Sequence, residues 1–202
     1  FKKSKITQSK KHFFIYGWLF GFGYFLSSLY WISISLTFDQ SFKFLIPFSL
    51  ILIPSFLALF YGLVSYFFSV FHQKSIISSF FIFSLIFGVI EFLRGTILTG
   101  FPWNLIVYSL SNQLELLSIT SIIGTYGLNL FCISLFTSPA ILFLSKSKKN
   151  ISVCIFFIIT FISFYVYGSS QKDSFYKADN KIYDRKIRII GSNISLDRFY
   201  SN

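Results

Sequence analysis

Acid is what this chain has least of. Seven Asp and Glu stand against eighteen Lys and Arg in 202 residues, and charged residues of both signs make up 12%, about half the share of a soluble domain. Too few charged groups are present to coat a water-exposed globule, so an ordinary soluble fold is excluded. Methionine is absent throughout, including at position 1, which is the expectation for a segment of a longer product. No cleavable signal pattern follows the basic start: the apolar stretch after it is too long for a signal core and has no small-residue cleavage site. His12 and His72 fall at the edges of apolar runs and read as solvated boundary residues, which leaves no metal cluster and no intramembrane Ser-His set. Cys132 and Cys154 both lie inside apolar runs, and no charged residue comes within ten positions of Cys132. Reactive thiolates need an electropositive, partly exposed setting, so both read as small buried hydrophobes.

What fills the space is apolar: 54% of residues are hydrophobic and the mean hydropathy is +0.67. This is the composition of an integral membrane protein. A net charge of +11 would suit a nucleic-acid partner only if it formed a continuous basic face. Instead the lysines flank apolar runs in short clusters, where they act as topology signals, and no nucleic acid is expected. Thirty Phe are spread through every run with Ile and Leu, as lipid-facing filler.

The pattern predicts five spans, at 13–37, 44–71, 75–94, 114–144 and 151–168, each near or above the roughly 20 residues that cross a hydrocarbon core. The first carries a small-residue face of Gly17, Gly21 and Ser28 with Gly23 and Ser27, and Trp18 and Trp31 toward its ends suit interfacial belts. Pro47 and Pro54 predict a kinked but unbroken second span. The fourth is longer than one straight span needs, with Gly124, Gly127 and Asn129 marking where a lead-in becomes the span. Five, one and three Lys occupy 1–12, 72–75 and 145–150, which by the positive-inside rule predicts those segments cytoplasmic and the C-terminal part outside. Residues 1–170 form the membrane domain on this reading; 171–202 form a charged linker leading to one strand, KIRIIGSNISL at 186–196.

One stretch breaks the pattern. EFLRGTILTGFPWN, 91–104, sets a carboxylate, a guanidinium and a backbone break at one depth. Glu91 and Arg94 are three apart, so on a helix they share a face and can pair, which offsets the cost of charge in a bilayer, at least about 2.5–3.5 kcal/mol for a lone group. Gly95, Gly100 and Pro102 then end the helix. Residues 95–113 are too broken to span and predict a re-entrant or interfacial segment. Non-helical backbone at membrane depth must line a cavity or the interface, which makes Gly100, Phe101, Pro102 and Trp103 the candidate rim of a lipid or substrate entrance.

These residues carry a resemblance. EFLRGTILTGFPW with Tyr108, GTYGLNLF further on, and YGWLFGFGYFLSSLYWISIS before it resemble the membrane domain of bacterial apolipoprotein N-acyltransferase, across 13 to about 145 and weakly at 186–196. The resemblance implies a helical membrane bundle followed by an α/β nitrilase-like periplasmic domain in the inner membrane. It also implies transfer of an acyl chain from a phospholipid to the N-terminal cysteine amine of a diacylglyceryl-modified apolipoprotein, through a thioester. The partners are then the phospholipid acyl donor, the lipoprotein and membrane lipids, and no cofactor is implied. The family's Glu-Lys-Cys set belongs to the nitrilase-like domain and is not in this chain, whose own part is non-catalytic on that reading. The strand departs from the family pattern: Gly191, Ser192, Asn193 and Ile194 stand where Gln-Gly-Asn or Gln-Gly-Asp precedes Ile. A transporter or channel fragment with a discontinuous helix at 95–104 is the alternative, since such helices also set charges and broken backbone at membrane depth.

Overall fold

The computed structural model describes residues 10–97 and 100–178. Five helical segments are long and apolar enough to cross a membrane: Lys10–Thr37, Gln40–Phe71, Ile76–Thr96, Thr120–Leu144 and Lys148–Lys177. No strand occurs among the described residues, and the expected strand at 186–196 lies outside them. The outside of the bundle is apolar, with Phe20, Phe44 and Phe143 among many exposed rings. That is a surface for lipid, since only acyl chains accept so much unpaired apolar area.

The first segment is α1 (Lys10–Leu29) continued by a 3₁₀ stretch, Tyr30–Thr37. Eight residues are long for that geometry. Hydroxyls explain it: Ser33, Ser35 and Thr37 each donate to the carbonyl three residues back, at 2.6, 2.7 and 2.7 Å, which competes with the wider α ladder. A second 3₁₀ turn, Gln40–Leu45, is capped by Asp39, whose side chain accepts from the Ser41 amide. It leads into α2 (Ile46–Phe71), which starts with Pro47 in its first turn and runs unbroken through Pro54. Ser75 caps α3 (Ile76–Thr96).

α1 and α2 pack closely because part of the small-residue face meets α2. A Cβ on Gly21 would stand 2.8 Å from Tyr61 Cβ and 3.1 Å from Ala58 Cα, and one on Gly17 would overlap the Tyr61 carbonyl and Ser65. Gly23, by contrast, has nothing within 4 Å, and Ser27 is exposed. The face is therefore narrower than expected. Trp18 differs too: its indole N–H donates to the Ser55 carbonyl at 3.0 Å, so it ties α1 to α2. The first core joins these helices to α3 through Phe25, Leu57, Tyr61, Phe87 and Ile90, with Ile133 from the fourth segment.

The stretch expected as one span over 114–144 is divided. α4 (Leu114–Leu117) is a single turn; α5 (Thr120–Thr137) is kinked at Gly124, whose φ of 70° and ψ of 170° lie outside the helical region; α6 (Pro139–Leu144) restarts at a proline. Gly124 marks the break, as positive φ favours glycine, while Gly127 sits inside the helix. α7 (Lys148–Lys177) is capped by Ser147 and, at about 45 Å for 30 residues, continues into the stretch expected as linker. Its upper end is held at α4: Gly168 lies against the Glu115 backbone, and Lys172 Nζ pairs with Glu115 Oε1 at 2.7 Å. That hydrogen bond holds the Glu115 carboxyl below the ordinary glutamate range.

Candidate functional site

Glu91 and Arg94, one turn apart near the end of α3, are 0% and 1% exposed. The pair is bidentate, with Arg94 Nη2 to Glu91 Oε2 at 2.9 Å and Nε to Oε1 at 3.1 Å. The guanidinium carbon lies 5.3 Å from the centre of the Phe25 ring on α1. Tyr61 of α2 packs against the pair, with its hydroxyl turned toward Glu91. Burying charge is tolerated only with good geometry and satisfied remaining donors. Here both Nη1 donors are used: Arg94 Nη1 donates to the carbonyls of Phe101 and Trp103, both at 2.8 Å.

Those two bonds fold the loop back. α3 stops at Thr96, Ile97 turns extended, and the Phe101 amide returns to the Arg94 carbonyl at 3.0 Å. Gly100 makes the reversal at φ +76°, where a Cβ would meet the Gly95 carbonyl oxygen at 2.6 Å. Asn104 also has positive φ, 57°, which Asn tolerates better than most residues. Its carbonyl accepts from Tyr24 Oη at 3.0 Å and its Nδ2 donates to Ser28 Oγ. The loop is thus fastened to α3 by a guanidinium and to α1 by a phenol and a hydroxyl. Beyond it, the buried Asn129 of α5 accepts the Val107 amide at 3.0 Å and holds the 3₁₀ turn Ile106–Leu110.

The fastening leaves one large surface out. Trp103 is 49% exposed and Trp31 45%; their rings stack at 5.5 Å and 16°, with Phe101 tilted against Trp103 at 5.5 Å. Of the candidate rim residues, Phe101 and Pro102 are half-buried and Trp103 faces out. Tyr108 lies just past the rim, and partial burial pushes its phenol above the ordinary tyrosine range. Sequence reasoning named Glu91, Arg94 and residues 100–103 but missed the roles of Tyr24 and Asn104; a lone Asn after FPW in an apolar run was the available signal.

The arrangement holds a loop in place. Cys132 is fully buried in the cluster of Leu105, Val107, Leu116, Ile119 and Leu128, and Cys154 donates its thiol to the Ser138 carbonyl at 3.3 Å. Neither has the partly exposed, electropositive setting of a nucleophile. Among the described residues, no three His, Cys, Asp or Glu gather to hold a metal. With the guanidinium bonded to protein acceptors, the pair is built to hold the loop and not a travelling ion, which weighs against the transporter reading.

Known proteins resemble this chain in sequence. The profile of the apolipoprotein N-acyltransferase N-terminal domain matches residues 3–138. The chain is 41% identical over 129 residues to an apolipoprotein N-acyltransferase of Rhodopseudomonas palustris, covering 62% of this chain and 24% of that protein. Over 150 residues it is 33% identical to the protein of that name in Brucella melitensis, covering 73% and 28%. Over 179 residues it is 35% identical to that of Rickettsia bellii, covering 88% and 35%. The chain therefore spans about a quarter to a third of the length of the curated relatives it matches. A profile match over most of the chain, with the paired charges and the FPW loop inside it, places the chain in the apolipoprotein N-acyltransferase family, through that family's N-terminal domain.

Proposed function

We propose that these helices are the membrane portion of an enzyme that moves an acyl chain from a phospholipid to the N-terminal cysteine amine of a diacylglyceryl-modified apolipoprotein, by way of a thioester. The thioester chemistry lies in a nitrilase-like domain beyond α7, on the periplasmic side of a bacterial inner membrane. Glu91 and Arg94 set the loop, and Gly100, Phe101, Pro102 and Trp103 form the rim at which the acyl chain enters.

One observation carries this reading: Trp103 is held in place through its own carbonyl, on a guanidinium anchored in the core, while its indole is stacked on Trp31 and exposed. A rigid aromatic wall at a bundle end suits a substrate whose chain must stay in apolar surroundings, because each methylene taken into water costs about 0.8 kcal/mol. Indoles also lose little rotamer freedom on contact. In the full-length protein, Trp103→Ala should slow thioester formation from phospholipid about three- to tenfold, the worth of a lost aromatic contact, with protein level and topology unchanged. Wild-type acylation in that variant would remove the rim assignment.

The orientation rests on the lysines and has its own test. In a background lacking Cys132 and Cys154, a cysteine placed at Phe175 should react with a membrane-impermeant maleimide from the periplasmic side, while one at Lys148 should be spared. The opposite labelling would invert the topology.

A further inference from the structure

A large cavity lies at the other end of the bundle from the loop. It encloses about 750 Å³ between the α2–α3 turn and the end of the fourth segment, within the roughly 300–1,000 Å³ range of ligand sites. Its walls are apolar, with Phe68, Phe80, Phe83, Ile141 and Leu144, and Lys74 stands at its polar edge. The other polar groups there are occupied. Ser79 bonds the Gln73 backbone in both directions, the His72 ring lies against the Ser69 carbonyl, the Gln73 amide donates to the Phe71 carbonyl, and the Thr137 hydroxyl donates to the Ile133 carbonyl. Lys74 has no such partner among the described residues.

Charge at this end has one sign. α1, α3 and α7 start here and α2 and α6 finish here, bringing together Lys10, Lys11, Lys74, Lys146, Lys148 and Lys149. The described acids, Asp39, Glu91, Glu115 and Asp173, all belong to the opposite half. An apolar groove edged by Lys74, at an end whose described charges are all positive, fits an amphiphile with an anionic head. A neutral occupant would leave the charge unused, and an acidic peptide would leave the apolar depth unfilled.

From this we infer that the groove seats an anionic phospholipid of the adjoining leaflet, one acyl chain running between Phe80, Phe83 and Ile141 and the phosphate meeting Lys74. This site is at the end of the bundle away from Trp103, and it holds whether or not the acyl-transfer reading does, since it requires only that the helices span a bilayer.

The test uses the full-length protein in detergent, titrated with phosphatidylglycerol or phosphatidylcholine and followed by native mass spectrometry. Phosphatidylglycerol should bind in a one-to-one complex more tightly than phosphatidylcholine. Lys74→Gln should weaken it about fivefold, the usual worth of one lysine near a lipid head. Ala140→Trp, an exposed groove residue, should block the chain's path and abolish the complex while leaving every charge in place. Equal retention of both lipids, unchanged binding in both variants, or no bound lipid because another helix occupies the groove would each overturn the proposal.

Discussion

Arg94→Ala is expected to remove most folded protein from the membrane. The substitution leaves Glu91 as an uncompensated charge at 0% exposure and takes the donor from the carbonyls of Phe101 and Trp103. Breaking a buried pair by deleting one partner costs about 3–5 kcal/mol, a large share of a stability of about 5–15 kcal/mol. Arg94→Lys should rescue only part, because an ammonium has no planar fork to meet both carboxylate oxygens and two carbonyls at once. The double variant Glu91→Leu with Arg94→Met separates the two roles of the pair. Replacing both charges by apolar groups of similar size is often neutral, so the fold should return. The loop, without its donor, should become sensitive to protease between 97 and 104. Fluorescence-detected size exclusion and limited proteolysis read these outcomes; a wild-type profile for Arg94→Ala would mean the pair is hydrated and does not organise the loop.

Gly21→Val should also destabilise the bundle, by less and for a reason unrelated to charge. In lipid no hydrophobic force presses helices together, so close packing carries the association. The new branched side chain would need space already taken by Tyr61 Cβ at 2.8 Å and Ala58 Cα at 3.1 Å. Both belong to the middle of α2, and backbone cannot swing aside as a side-chain tip does. Overpacking of this kind costs about 1–3 kcal/mol. Pushing α1 outward also strains the Tyr24 and Ser28 bonds to Asn104, so the loop should loosen with it. Gly23→Val is the matched control, two residues away in the same helix with open space around it. A clear fall in melting temperature is expected for the first variant and little change for the second; equal values would show that α1 and α2 are not held by this contact.

The two variants mark the boundary between what was readable and what was not. That Glu91 and Arg94 share a face follows from a three-residue spacing, and that Gly17 and Gly21 form a packing stripe follows from a four-residue one. Which face the stripe meets does not follow. Gly23 and Ser27 belong to the same small-residue pattern but face outward, because the crossing of α1 and α2 selects one row. Trp18 reads as a belt residue until its indole is seen against the Ser55 carbonyl. The division of 114–144 was legible only at Gly124, where positive φ needs glycine; the restart at Pro139 and the docking of α4 on α7 depend on contacts between segments far apart in the chain.

By itself the sequence determined the class of solvent, the number of apolar segments, the lysine-rich end and the family, because these depend on composition, run length and motif. All are properties of the chain taken in order. The tertiary structure alone decided that the guanidinium holds two carbonyls of its own loop, that Tyr24 and Asn104 close the loop onto α1, and that Trp31 and Trp103, 72 residues apart, form one exposed wall. Hydrogen bonds and ring contacts of this kind join residues whose separation along the chain has no period, so no local pattern encodes them, and only the packed helices bring them within reach.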